Sequence, residues 1–79
     1  MEIEVHLYAT LAKFLPVGAV NKTCRIKFDA KAHVTDILKR LEIPKDSVKL
    51  IFVNGVHAQK TTILTDGDRV GLFPPVGGG

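Results

Sequence analysis

Hydrophobic and polar residues alternate strictly over residues 2–9. A period of two is typical of a strand that buries one face. The apolar positions of this predicted strand are Ile3, Val5 and Leu7. The alternation returns over residues 24–28, so we expect these two segments to pair as a hairpin. Between them, residues 11–15 predict one helical turn that ends at Pro16.

The period changes to that of a helix in the middle of the chain. One apolar stripe at helical spacing consists of Val34, Ile37, Leu38 and Leu41. Asp36 near the predicted start and Lys39-Arg40 near the end suit the helix dipole, and Pro44 ends the helix. The N-cap is either His33 or Thr35, of which Thr35 has the better capping side chain.

The last third of the chain predicts short strands separated by tight turns. Residues 48–53 are nearly all apolar, as in a central strand covered on both faces. The Asn54-Gly55 pair favours a type I′ turn, which leads into a short return strand through residues 57–59. A second tight turn over residues 65–68 precedes a last strand over residues 70–73.

The element order is therefore strand, strand, helix, strand, short strand, strand. One helix packed across a four- or five-stranded mixed sheet is the compact solution for this order. This is the α+β fold of β-grasp, ubiquitin-like type, with the first and last strands as parallel central neighbours. We expect residues 1–73 to form this domain and residues 74–79 to form a flexible C-terminal tail.

The composition excludes several classes of protein. A chain of 79 residues forms one domain, too small to enclose a large cofactor. The net charge of +3 comes from scattered residues, without the basic face or stacking aromatics of nucleic-acid-binding proteins. No apolar run could span a bilayer, no export signal is evident, and the lone Cys24 has no disulfide partner. We expect a cytoplasmic protein that binds no metal, nucleic acid or membrane.

The most unusual segment is the C-terminal one, Pro74-Pro75-Val76-Gly77-Gly78-Gly79. Two prolines make a stiff, extended lever, and three glycines leave a slim end that could thread a narrow channel in another protein. Taken alone, such an end is more often a frayed terminus or a leftover linker.

Residues 66–79, from Asp66-Gly67-Asp68 to the final glycines, resemble the ending of the small subunits of molybdopterin synthase. More broadly, the chain resembles the ubiquitin-like sulfur-carrier family, which includes the thiamin sulfur carriers. Other segments in family order are Leu7-Tyr8-Ala9, the Val34–Leu41 helix, Val53-Asn54-Gly55 and Leu64. The Phe-Pro-Pro-Val ending is specific to the molybdopterin branch. The resemblance covers the whole chain and favours a functional terminus.

The resemblance implies a carrier protein rather than an enzyme. An ATP-dependent adenylating enzyme, similar to ubiquitin-activating enzymes, would join the Gly79 carboxylate to AMP. Sulfur from a cysteine desulfurase or a rhodanese-like protein would then displace AMP and leave a thiocarboxylate at Gly79. The tail, Pro74 to Gly78, would thread into the large synthase subunit and deliver sulfur to a pterin precursor. No cofactor would be bound, since the activating partner consumes the ATP.

Two departures from the family pattern concern the partner contacts. Gly77 stands where many relatives have another small residue, and Leu11-Ala12-Lys13 lacks the Arg that often follows the Leu. The exact pathway, for a molybdenum or a tungsten cofactor or another sulfur-requiring route, therefore stays open.

Two aromatic residues are candidates for a partner interface. Val70 and Leu72 occupy the core face of the last predicted strand, so Phe73 points the other way, beside the exit of the tail. An exposed aromatic residue is a plausible anchor for a partner, although Phe73 could instead close the sheet by packing on a neighbouring strand. Tyr8 matches an aromatic residue at the end of the family's first strand, and the two interpretations of it are equally open.

Other reactive side chains have simpler explanations. Cys24 shares a face with Ile26, so core packing is favoured over reactivity. Asp66 and Asp68 flank a turn glycine and are explained by turn hydrogen bonds. The histidines lie on different segments without metal-ligand spacing and are expected to be unpaired surface residues: His6, His33 and His57.

Two other functions stay open. A ubiquitin-like modifier would use the same adenylation and join Gly79 to a lysine as an amide, and a thiamin carrier would supply thiazole sulfur instead. A plain β-grasp binding module would have an incidental tail, and it alone predicts that removal of Gly78 and Gly79 leaves function intact.

Overall fold

The computed structural model describes residues 1–75. Seven strands, β1–β7 in chain order, span Glu2–Leu7, Thr23–Lys27, Ala32–His33, Leu50–Val53, Val56–His57, Ile63–Leu64 and Arg69–Phe73. The helices are α1 (Val34–Arg40) and two 3-10 helices, Ala9–Phe14 and Lys45–Ser47. The first of these 3-10 helices corresponds to the helical turn that the sequence predicts. No helix in this part of the chain is long and apolar enough to cross a membrane.

Five strands form the main sheet in the order β2-β1-β7-β4-β5. The central pair, β1 and β7, is parallel, whereas the other pairs are antiparallel. The remaining strands, β3 and β6, form a separate two-stranded sheet. The mixed sheet, its single α-helix and the parallel pairing of the first and last strands confirm the predicted β-grasp fold.

The core lies between α1 and one face of the main sheet. Because side chains alternate between the faces of β1 and β7, those on one face are completely buried: Ile3, Val5, Leu7, Val70 and Leu72. The helix contributes Val34, Ile37 and Leu38 from the predicted stripe. Burial of these side chains is the main force that stabilises the domain. Within residues 1–75, α1 covers only one face of the main sheet, and we call the opposite face the open face.

Strand β4 is shorter than predicted, and the expectation that it is covered on both faces is wrong. Its outward side chains are Leu50, with 39% of its surface exposed, and Phe52, which is half-buried. Ile51 alone of the strand is fully in the core. The apolar run of β4 therefore has two roles: one side packs in the core, and the other side forms part of an apolar surface.

The N-cap of α1 is His33 and not the favoured Thr35. The first helical N–H groups of Val34 and Thr35 donate to the carbonyls of Thr62 (3.1 Å) and Lys60 (3.0 Å). Because a distant loop satisfies these donors, the helix start does not depend on a good capping side chain. The Asp36 carboxylate accepts the His33 backbone N–H at 2.7 Å, and this bond lowers the pKa of Asp36.

Candidate functional site

The end of β7 is held by strands on both sides. The Tyr8 backbone N–H donates to the Leu72 carbonyl at 3.1 Å, and the Lys49 N–H donates to the Phe73 carbonyl at 2.8 Å. Pro74 and Pro75 follow directly, and neither has an N–H to extend the ladder. The predicted tail therefore starts from a fixed base at the centre of the sheet.

Of the residues predicted to thread a partner, the structure describes two. Pro74 and Pro75 are half-buried and outside any helix or strand. The rest lie outside the described residues: Val76, Gly77, Gly78 and Gly79, the predicted site of adenylation.

The open face of the sheet has a row of aromatic rings beside this base. Tyr8 and Phe73 stack with their centroids 4.2 Å apart and their planes within 3°. Phe52 meets Phe73 edge-on at 5.7 Å, and His57 meets Phe52 edge-on at 5.8 Å. We call Tyr8, Phe73, Phe52 and His57 the aromatic row. Phe73 thus packs on neighbouring side chains, as one of the two alternatives predicts, and it is half-buried on the outward face. Its role as an anchor for a partner stays a prediction.

Gly71 forms the floor of a depression in this face. The strand register places it between His6 of β1 and Phe52 of β4. The depression has a volume of about 520 Å³, and its walls include Tyr8, Phe73 and Arg69. Among the strands of residues 1–75, only Gly71 has no side chain, and its position between His6 and Phe52 leaves a space in the middle of the face.

His6 is fixed in place beside the depression. Its Nε2 lies 2.6 Å from a Glu4 carboxylate oxygen, and its Nδ1 lies 3.1 Å from the Thr23 hydroxyl. The hydrogen bond with His6 lowers the pKa of Glu4, assisted by the charge of Arg25. The expectation that the histidines are unpaired is wrong for His6, and also for His33, whose Nδ1 lies 3.6 Å from Asp36. Each histidine is paired with a carboxylate nearby in sequence. Glu4 lies two residues before His6 on the same face of β1, and Asp36 lies three residues after His33 in the first turn of α1.

The start of β7 is fastened by side-chain hydrogen bonds. Asp68 accepts the backbone N–H of Thr65 at 2.8 Å and the side-chain amide of Asn54 at 2.9 Å. Partial burial opposes ionisation of Asp68, but the bonds from Thr65 and Asn54 outweigh it and lower the pKa of Asp68. Asp66 accepts the Glu2 N–H at 2.7 Å. The prediction of local turn hydrogen bonds is thus confirmed for Asp68, through Thr65, but it is wrong for Asp66, whose carboxylate bonds to distant β1 instead.

Cys24 is half-buried against the core, as expected from its position on β2. Burial raises the pKa of its thiol, which keeps it protonated and unreactive at neutral pH. Within residues 1–75, no three His, Cys, Asp or Glu side chains group in a way that could hold a metal ion.

The sequence predicts Tyr8 and Phe73 as site residues, but not their neighbours Phe52, Gly71 and Arg69. Alternation along β7 already places Arg69, Gly71 and Phe73 on the face opposite Val70 and Leu72. The position of Phe52 beside Gly71 depends on the register between β4 and β7, which one strand alone does not reveal.

Comparisons with known proteins agree with this fold. Residues 1–77 match the family described as Mut7-C ubiquitin. No match was found among curated protein sequences. Among solved structures, SAMP1 of Haloferax volcanii is 28% identical with a TM-score of 0.74, and each chain is covered completely. SAMP1 is a small archaeal modifier protein.

Two further structures are similar over most or all of their length. The Haloferax volcanii HVO 2177 protein is 33% identical with a TM-score of 0.74, over 100% of this chain and 87% of that one. A chain from the complex of subunits 1 and 2 of the Helicobacter pylori molybdopterin-converting factor is 25% identical, with a TM-score of 0.61 and both chains covered completely. SAMP1 and the chain of the molybdopterin-converting factor are small ubiquitin-like carrier proteins and not enzymes. The chain therefore belongs to the Mut7-C ubiquitin family, within the ubiquitin-like sulfur-carrier proteins.

Proposed function

We propose that this protein carries sulfur as a thiocarboxylate at Gly79 and donates it in molybdopterin biosynthesis, for a molybdenum or tungsten cofactor. The observation that carries this proposal is the base of the tail. The Phe73 carbonyl accepts a backbone hydrogen bond from the residue before β4, and the Leu72 carbonyl accepts one from the residue after β1. Two prolines follow directly. A fixed base suits a tail, residues 74–79, that must present its last atom inside another protein.

The chemistry requires an activating partner. A carboxylate is a poor acyl donor, so an adenylating enzyme first joins the Gly79 carboxylate to AMP and releases pyrophosphate from ATP. A persulfide of the sulfur donor then attacks the acyl carbon and AMP leaves. A second thiol cleaves the resulting acyl disulfide, is itself oxidised to a disulfide, and leaves the thiocarboxylate. This chain supplies the reacting carboxylate, and its partners supply the acid and base groups.

The proposed receiving partner is the large subunit of a molybdopterin-synthase-type enzyme. The support for it is the similarity to a chain of the two-subunit molybdopterin-converting factor of Helicobacter pylori. The aromatic row adjoins the base of the tail, so we propose that Tyr8 and Phe73 contact the partner while the tail is inserted. ATP and cellular sulfur donors make the cytoplasm the fitting compartment.

Mass spectrometry of the tryptic peptide from Val70 to Gly79, taken from protein expressed in its native host, tests the proposal. The peptide contains neither Met nor Cys, so oxidation of those residues does not interfere with a gain of about 16 Da for sulfur in place of oxygen. The same spectrum establishes whether Gly79 bears the terminal carboxylate in the cell. A gain that disappears on hydrolysis is the expected result. An ordinary carboxylate, with the activating enzyme and sulfur supply present, would contradict the proposal.

A protein modifier is the second candidate, and the similarity to a small archaeal modifier protein favours it. The same activated Gly79 would then react with a lysine amine instead of a persulfide. In that case the Val70–Gly79 peptide is found branched onto lysines of other proteins.

A further inference from the structure

The depression over Gly71 has a feature that the fold itself does not require. Glycine in the interior of a strand is less stabilising than alanine, because it loses more conformational freedom on folding. Gly71 is not among the glycines with positive φ, so the backbone does not require it. A Cβ atom there would lie 3.4 Å from the Tyr8 ring and 3.6 Å from the Phe73 ring, which are ordinary contact distances. The neighbouring rings therefore do not require a glycine either.

A glycine that neither backbone nor packing demands often marks the close approach of a ligand or another chain. The surroundings suit an apolar group, because three aromatic rings line the space: those of Tyr8, Phe52 and Phe73. Apolar side chains that fill aromatic-lined pockets near the centre of an interface typically supply much of its affinity.

The charges around the depression indicate what lies beside that apolar group. Glu4 lies opposite Arg69 in the pairing of β1 with β7, and the charge of Arg69 also helps to lower the pKa of Glu4. The Glu4 carboxylate is bonded to His6 and lies 3.9 Å from Arg25, and Asp68 is bonded to Thr65 and Asn54. In residues 1–75, by contrast, no carboxylate oxygen lies within 4.0 Å of the exposed Arg69 guanidinium. The side chains of Glu4 and Asp68 are thus hydrogen-bonded within the chain, and Glu4 acts on Arg69 without a direct ion pair. The guanidinium at the rim can therefore pair directly with a partner's carboxylate.

We propose that the depression receives one apolar side chain of a partner protein, whose adjacent carboxylate pairs with Arg69. A protein fits better than a free small molecule, because the depression is open and continues into the aromatic row. Small-molecule sites instead enclose most of their ligand. The inference shares with the proposed function the need for a protein partner, but it does not depend on the sulfur chemistry of Gly79.

Two blocked dipeptides serve as the probe, N-acetyl-Leu-Asp-methylamide and its neutral match N-acetyl-Leu-Asn-methylamide. Each is titrated into ¹⁵N-labelled protein while the amide resonances of Phe52, Gly71 and Phe73 are followed. The acidic peptide is expected to give saturable shifts there and to bind about two- to fivefold more tightly than the neutral one.

Variants at Arg69 and Gly71, with a control at Arg40, test whether these residues produce the binding and its preference for the acidic peptide. Arg69→Gln is expected to remove the preference for the acidic peptide, whereas Arg40→Gln, the same charge change on α1, keeps it. Gly71→Ala is expected to weaken both peptides by at least about fivefold, since its methyl group fills the floor. Its melting temperature is expected to equal or exceed that of the unaltered chain, which separates blocked binding from misfolding.

Three results would overturn the inference: no saturable shift at these amides, equal affinity for the two peptides, or undiminished binding to Gly71→Ala. Thiocarboxylate formation is measured separately on the Val70–Gly79 peptide. A failure of this inference is therefore distinguishable from a failure of the proposed function.

Discussion

The two faces of the main sheet are made by alternate residues of the same strands. On the side toward α1, Val70 and Leu72 of β7 are completely buried. On the other side, Arg69 is exposed, Gly71 has no side chain, and Phe73 lies in the aromatic row. The comparison separates two kinds of hydrophobic residue in one small domain. Those under the helix stabilise the fold, and those on the open face form a surface that the fold does not need for its core.

The difference between the faces is largest for a matched pair of leucines. Leu72→Ala removes a completely buried side chain and is expected to lower the free energy of unfolding by about 2–5 kcal/mol. Leu50 lies on the open face with 39% of its surface exposed, so Leu50→Ala is expected to cost less than about half as much. Urea denaturation followed by circular dichroism measures both. Similar losses for the two variants would show that the open face also belongs to the core.

The stacked rings of the open face are expected to have a smaller effect. Tyr8 and Phe73 are 4.2 Å apart and nearly parallel. A double-mutant cycle with Tyr8→Ala and Phe73→Ala is expected to give a coupling energy of about 0.5–1.5 kcal/mol. Additive single effects would mean that the rings are held by the strands and not by each other.

Much of the covered face could be predicted from the sequence, because its signals are local. The alternation of β1, the apolar stripe of α1 and the Asn54-Gly55 turn are each visible within a few residues. In the structure, Asn54 and Gly55 have the positive φ values of 53° and 81° that this turn needs. Strands β3 and β6 were missed because two residues are too few to show a period.

The open face was harder to predict because its geometry depends on distant segments. The apolar run at residues 48–53 resembles a fully covered strand, and only the position of α1 shows that one side stays open. In the same way, Thr62 and Lys60 determine where α1 begins, although they follow its first residue by more than 20 residues. Tyr8 and Phe73 were identified as candidates, but the depression over Gly71 required the register of three strands.

Acid is expected to weaken the hydrogen bonds that the Asp68 carboxylate accepts just before β7. The folded-state pKa of Asp68 is lowered from its ordinary value of 3.8, so the unfolded chain binds the proton more readily. The stabilisation is present above about pH 4 and is lost as the pH falls through the folded-state pKa. Asp68→Asn is expected to cost about 1 kcal/mol at pH 7 and less at low pH.

Thermal denaturation between pH 2 and pH 7 measures this dependence. Asp29→Asn is the matched control, because Asp29 is exposed and its side chain accepts no hydrogen bond from the residues that the structure describes. An equal loss for both variants across the whole range would assign the effect to net charge and not to the Asp68 hydrogen bonds.

The smallest effect on stability, and the largest on function, is expected from removal of Gly78 and Gly79. In the part of the chain that the structure describes, the buried residues and the strands lie within residues 2–73, and the free energy of unfolding is expected to change by less than about 0.5 kcal/mol. Formation of the thiocarboxylate, or of a lysine conjugate, is expected to stop completely. Gly77→Ala is the control, since it keeps the final two glycines and the carboxylate.

Each variant is incubated with purified activating enzyme, ATP and a sulfur donor. Mass spectrometry of its C-terminal peptide then measures the outcome directly. A truncated chain that still supports the cellular function would leave only the plain binding module, in which the open face alone acts. A truncated chain that loses function but still binds through Gly71 and Arg69 would separate the two activities. Recognition would then belong to the open face and chemistry to the tail, on a domain whose stability depends mainly on the face covered by α1.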